Sequence, residues 1–252
     1  MEPSECCPAV SWGKPSENKE GTKNNGIFLV IGECKAPIYY SAPLQKESNK
    51  AILIFPDVWG FSDRLMKIAD NFANQSYHVI CLDCFRGETK ENNPEIVPWL
   101  KKYPFETVVK PDIEACLEFL QSKNVMKSRV GSLGFCWGAW AIAKAAPHNY
   151  FKCGVAPHPS MKIEKVVFQC SVEDMMEKVK IPLLLLPAGN DEDNLKPGSD
   201  IVGNLEVYGG KSVCFPTMIH GWTTRLDMDD LPIKECADRA LTMSFEFFNS
   251  NL

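Results

Sequence analysis

The five residues Gly134-Phe135-Cys136-Trp137-Gly138 place a thiol between two glycines, with a β-prone run before it (128–135) and an alanine-rich run after it (138–146). A nucleophile on a sharp strand-to-helix turn stands at the carboxyl end of a sheet. This is the context of a nucleophile elbow, here with cysteine in place of serine. The glycines fit that reading, because such a turn brings strand and helix too close together for a Cβ at either flank. A helix opening at this point directs its N-terminal dipole toward Cys136, which favours thiolate over thiol. The backbone N–H of Trp137 is a candidate oxyanion donor at the same corner. The chemistry such a corner supports is acyl transfer through a covalent intermediate on sulfur.

An elbow nucleophile takes its partners in chain order, an acid and then a histidine. Of four histidines only His220, in "TMIHGWTTR", follows a plausible acid. Asp191, Glu192 and Asp193 come directly after the most apolar run of the chain, "PLLLLPAG" (182–189). Asp191 is nearest the end of that run and is the chosen acid, while the other two read as a solvated turn. Asp191 would accept the His220 Nδ1–H and fix the tautomer, leaving Nε2 to exchange a proton with Cys136. His78 opens a strand and reads as structural, and His148 follows the elbow helix and reads as exposed. His158, in "APHPS", closes a strand on the same edge and is a candidate substrate contact.

These residues need a scaffold to bring them together. Strands are read at 26–32, 36–41, 50–56, 77–83, 128–135, 150–157, 182–189 and 211–216, and helices at 62–75, 105–123, 138–146 and 231–251. The first helix opens on Ser62 as its N-cap, with Leu65, Ile68, Ala69 and Phe72 at helical spacing. In the second, Pro111 is expected to mark the first helical position. Runs such as "AILIF" and "LLLL" have no polar face, the mark of central parallel strands covered on both sides. The first two strands read as an antiparallel edge feeding an otherwise βαβ-alternating sheet. Residues 1–25 read as a flexible tail and 26–252 as a single α/β domain, with cap-like segments at 84–104 and 157–180 shaping a pocket.

The net charge of −5 argues against a nucleic-acid or anionic-membrane surface, and no apolar run is long enough to span a bilayer. The acidic, polar start lacks the apolar stretch of a secretory signal. Most of the eleven cysteines, including Cys81, Cys84, Cys116, Cys153 and Cys214, fall in apolar runs and are expected to be buried and reduced, which points to the cytoplasm. The Cys81–Cys84 pair has no second pair or histidine to complete a zinc site, and no phosphate-binding glycine loop occurs, so neither metal nor cofactor is expected. The final Ser-Asn-Leu reads as a frayed end. A monomer is expected, with a dimer left open.

The motifs "FPDVWG", "GFCWGAW", "PAGNDED" and "IHGWTTR", with an early "CCP", resemble the dienelactone hydrolase family of the α/β-hydrolase fold, also called carboxymethylenebutenolidase-like, and in particular its eukaryotic branch. The resemblance covers about residues 26–250. It implies a mostly parallel central sheet with helices on both faces, and a Cys136–Asp191–His220 triad acting on a lactone, ester or thioester. It further implies that Asp57 is the carboxylate that modulates the thiol, and that Val58 supplies the second oxyanion N–H. Asp57 stands where the bacterial members carry a glutamate one methylene longer. Arg86 and Arg225 correspond to a clamp for an acidic small-molecule substrate, since planar guanidinium forks suit carboxylates. Trp59, Trp137 and Trp222 flank the motifs and would wall an apolar pocket. Two other readings remain. One is an endo-β-glucanase-like glycoside hydrolase using Asp57 and Asp191; the other is a redox-sensing or binding protein built on the reactive thiol.

Overall fold

The apolar runs of the sequence pair into one eight-stranded sheet in the computed structural model, which describes residues 24–45 and 47–252. The strands are β1 (Ile27–Ile31), β2 (Ala36–Ser41), β3 (Ala51–Phe55), β4 (His78–Leu82), β5 (Val130–Gly134), β6 (Cys153–Pro157), β7 (Leu183–Leu186) and β8 (Lys211–Ser212). Their spatial order is β1-β2-β4-β3-β5-β6-β7-β8. β2 pairs antiparallel with both β1 and β4, and every other pairing is parallel, as read from the sequence. The expectation of an N-terminal tail falls, up to residue 23, outside the described residues.

The helices are α1 (Asp63–Asn74), α2 (Ile96–Leu100), α3 (Lys110–Gln121), α4 (Trp137–Ala145), α5 (Ile163–Val166), α6 (Val172–Met176), α7 (Asp200–Glu206) and α8 (Leu231–Asn251). α1 begins as its sequence predicts, with the Ser62 side chain accepting the Leu65 N–H and Leu65, Ile68, Ala69 and Phe72 turned into the core. α1 and α8 cover one face of the sheet, where Phe72 and Phe248 meet edge to face at 5.9 Å. α3 and α4 cover the other, with Ile113, Leu117, Trp140 and Ile142 fully or nearly fully buried. Both faces of β3 and β7 are therefore dry, which is why neither strand carries a polar residue. Among the described residues no helix is long and apolar enough to cross a membrane.

Four local expectations are corrected. The second helix does not start at Pro111, because a π-helical turn over Phe105–Val109 precedes α3. Proline supplies no N–H to the regular ladder, and the wider turn carries the chain into the helix ahead of it. β8 is short, yet its backbone pairing continues through Val213 N–H to Leu185 O and Phe215 N–H to Pro187 O, both near 2.9 Å, at 2.9 and 2.8 Å. The C-terminus is docked rather than frayed: Leu252 is buried and its backbone oxygen accepts from Arg129. Of the cysteines expected inside, Cys81, Cys84, Cys116 and Cys153 are buried, and Cys214 is half-buried.

Candidate active site

β5 ends at Gly134 and α4 starts at Trp137, so the reversal between them falls on Cys136, which is held at φ +53° and ψ −107°. A non-glycine residue in that region carries roughly 1–3 kcal/mol of backbone strain. The two glycines make the turn possible. A Cβ on Gly134 would lie 2.3 Å from the Gly138 carbonyl oxygen, and one on Gly138 would lie 2.5 Å from that of Phe55. Because both obstacles are backbone, Gly134→Ala is expected to lower unfolding stability by about 3 kcal/mol or more. Chemical denaturation reads this as a drop in the midpoint at unchanged slope. The elbow is also tied to the loop after β6, through Cys136 N–H to Pro157 O at 3.4 Å and Ser160 N–H to Cys136 O at 3.2 Å.

The acid and the histidine arrive on the next two loops. Asp191 follows β7 and is locked by the Ala188 N–H, which donates to its Oδ2 at 2.7 Å. Its Oδ1 lies 2.5 Å from His220 Nδ1, with both side chains almost fully buried. His220 Nε2 lies 3.4 Å from Ser160 Oγ, which in turn lies 3.4 Å from Cys136 Sγ. Burial opposes a charge on His220, but a thiolate at Cys136 and the carboxylate of Asp191 outweigh it and lift the imidazole to about 9. Cys136 and Asp191 both hydrogen-bond the imidazole. The three residues read from the sequence as a triad are brought together.

Asp57 links the loop after β3 to the histidine loop. Its Oδ1 accepts the Trp59 N–H at 2.8 Å, while its Oδ2 accepts the Thr224 hydroxyl at 2.8 Å and lies 3.4 Å from Arg225 Nε. Gly221, at φ +91°, lets Arg225 fold back beneath the loop, since a Cβ there would sit 2.2 Å from the guanidinium. Val58 and Trp137 are both fully buried. Among the described residues neither of their backbone N–H groups donates a hydrogen bond, as two oxyanion donors require.

Other sequence assignments land elsewhere. Arg86, an exposed residue, makes a bidentate pair with the buried Asp112 at 2.7 and 2.8 Å, so its guanidinium joins the loop after β4 to α3. Trp222 is fully buried against Phe215, with ring centroids 4.5 Å apart, and forms core rather than pocket wall. His158 is fully buried: its Nε2 lies 2.5 Å from Thr223 Oγ1 and its ring lies edge-to-face on His220 at 5.0 Å. It backs the His220 imidazole, and burial together with the neighbouring His220 and Arg225 charges keeps it neutral. Trp137 packs on Phe85 and Trp140, at 4.6 and 5.7 Å, while Trp59 is only half-buried. Glu192 does more than solvate a turn, since its Oε2 accepts the Lys162 N–H at 3.2 Å.

Two residues in contact with these side chains carry no motif signal. Asn190 Oδ1 accepts the His220 N–H at 2.7 Å and fixes the histidine loop. Ser160 Oγ lies 3.4 Å from both Cys136 Sγ and His220 Nε2. Only their neighbours in the sequence, Asp191 and His158, drew notice to these segments.

An elbow nucleophile on a sheet of this strand order, with acid and histidine on the following loops, defines an α/β-hydrolase. The model of the dienelactone hydrolase family matches residues 37–252, and the chain belongs to that family of ester and lactone hydrolases. It is 25% identical to the hydrolase pyvD of Aspergillus violaceofuscus over 100% of this chain and 98% of that protein. To the hydrolase tropI of Talaromyces stipitatus it is 27% identical over 84% of this chain and 85% of that protein. The fold is shared with a dienelactone hydrolase-like promiscuous phosphotriesterase from metagenomic libraries, at a TM-score of 0.67 and 13% identity, covering 90% of this chain and 98% of that one.

Proposed function

We propose that this chain is a cysteine-dependent hydrolase that opens a lactone, ester or thioester through an acyl–Cys136 intermediate. The observation that carries this reading is the His220 imidazole hydrogen-bonded to both Cys136 and Asp191, on an elbow that only glycine flanks permit. The thiolate attacks the carbonyl carbon, and the oxyanion is held by the N–H groups of Trp137 and Val58. Collapse expels the leaving oxygen or sulfur, which takes the proton from His220 Nε2. In a lactone that leaving hydroxyl stays on the acyl group.

Acylation neutralises the sulfur, and with it goes the largest influence raising His220. The imidazole becomes a base suited to neutral pH, takes a proton from water, and the hydroxide attacks the thioester. The thiolate leaves and the carboxylic acid is released. Asp57 and Arg225 hold the oxyanion loop against the histidine loop. We take any influence of Asp57 on the thiol, and any pairing of Arg225 with an acidic substrate, to act at that junction. The same engagement of Asp57, and of Asp191 with His220, speaks against a glycosidase built on these two carboxylates. We take the substrate to be a small molecule and the protein to act as a cytoplasmic monomer without cofactor.

Intact-mass measurement after incubation with activated esters, lactones and acyl thioesters tests the reading. An acyl adduct on Cys136 that decays as product appears is the expected result. Turnover with no adduct at any substrate level or time, and undiminished by alkylation of Cys136, would overturn it.

The charge pair also has a pH signature. His220 is raised from 6.5 to about 9, so its contribution to folding stability is complete below 6.5 and is lost as the pH rises through about 9. NMR titration of the imidazole is expected to give a midpoint near 9 in the resting protein and a lower one once Cys136 is alkylated. An unchanged midpoint after alkylation would show that the thiolate is not the cause.

A further inference from the structure

The chain leaves β6 through Pro157-His158-Pro159-Ser160, and this stretch takes hold of both backbone groups of the elbow residue. Pro157 O accepts the Cys136 N–H at 3.4 Å, and the Ser160 N–H donates to Cys136 O at 3.2 Å. Between these contacts sits His158, held at φ +37° although it carries a side chain and precedes a proline. Its N–H donates to Leu186 O at 3.0 Å, which ties the strained residue to the end of β7. Backbone strain of this kind persists only where the surroundings hold it, and it gathers at functional sites.

The side chain extends the same hold to the histidine loop. The His158 ring is fully buried and touches Phe135 at 5.8 Å and His220 at 5.0 Å, the second edge to face. Its Nε2 lies 2.5 Å from the hydroxyl of Thr223, on the loop that carries His220. A hydroxyl both donates and accepts, so this bond forms whichever ring nitrogen holds the proton. Thr223 O in turn accepts from Arg64 Nε of α1. A turn of the His220 ring would have to displace a buried imidazole that is itself fixed at backbone and tip.

We propose that His158 is a positioning residue, which fixes the His220 ring against the elbow through its contact with that ring and its bond to Thr223. The proposal rests on the reading of His220 as the base that serves Cys136. A misplaced base costs rate more than binding, because errors of geometry are felt where the reacting atoms meet.

The test reads the His220 Nδ1–H proton by NMR in protein carrying ring-¹⁵N histidine. That proton lies in the buried 2.5 Å contact with Asp191, so the native protein is expected to give one sharp downfield signal. His158→Leu keeps bulk but cannot bond Thr223. It is expected to broaden or split the signal and to lower kcat toward p-nitrophenyl acetate about 10-fold, with KM changed less than about twofold. His158→Gln, which sets an amide near the place of Nε2, is expected to bring both readouts back toward native. A folded His158→Leu with the native signal overturns the proposal, and so does a glutamine no better than leucine, which would assign the loss to packing alone. Should the leucine variant not fold, Thr223→Val removes the hydroxyl with little change of shape and is judged by the same signal. The NMR readout needs no substrate, so it stands whether or not an acyl adduct forms, and failure of the hydrolase reading is seen separately in the adduct experiment.

Discussion

Cys136→Ala is expected to lower kcat/KM toward an activated ester or lactone by on the order of 10³-fold or more, because covalent catalysis is lost outright. Cys136→Ser restores an attacking atom, but a hydroxyl has far less anion character than a thiol beside the same imidazole. It is expected to regain only a small part of the rate and to hold acyl groups as a slowly hydrolysed ester. The side chain is fully buried at the elbow, and neither change adds bulk, so thermal denaturation should separate lost chemistry from lost folding. Steady-state rates with one activated ester decide the matter. Full activity in a folded Cys136→Ala variant would remove the thiol from the mechanism and return weight to the sensing role for this corner.

Asp191→Asn is expected to be nearly as severe, at roughly 10²–10⁴-fold in kcat. The carboxylate accepts from His220 Nδ1 at 2.5 Å and from the Ala188 N–H at 2.7 Å. An amide is close to the same shape, but it can turn its NH₂ toward Nδ1 and favour the tautomer whose proton sits on Nε2. That tautomer cannot take a proton from water. The substitution also removes one of the charges that lift His220, so the histidine midpoint should fall below about 9 along with the rate. A rate within a few-fold of native at every pH would show that Asp191 does not orient the imidazole.

The two substitutions also show which parts of this protein were legible in its residues. The elbow was readable because its requirements are local: a β-prone run, two glycines that clear a crossing of backbones, and a helix that starts at once. The order of acid and histidine was readable because four histidines left one position after the β7 loop. The long apolar strands and the capped first helix follow from patterns within a few residues of each other. The short helices α2, α5, α6 and α7 span four to seven residues each, too few for periodicity to show.

The roles of several charged and polar side chains lay beyond such patterns, because partners far apart in the chain decide them. Arg86 carries the same fork whether it meets a substrate or Asp112, and only the packing of α3 against the β4 loop selects Asp112. His158 ends a strand on the active edge as expected, but Thr223 and His220 close over it. Ser160 has no motif at all, and its place beside Cys136 and His220 is set by two residues 24 and 60 positions away in the chain. The strand-to-helix turn and the chain order were enough to pick out Cys136, Asp191 and His220 as a set, since both are written along the chain itself. Tertiary structure alone decided what surrounds them, because a hydrogen bond or ion pair is chosen by whichever buried partner the completed sheet brings within reach.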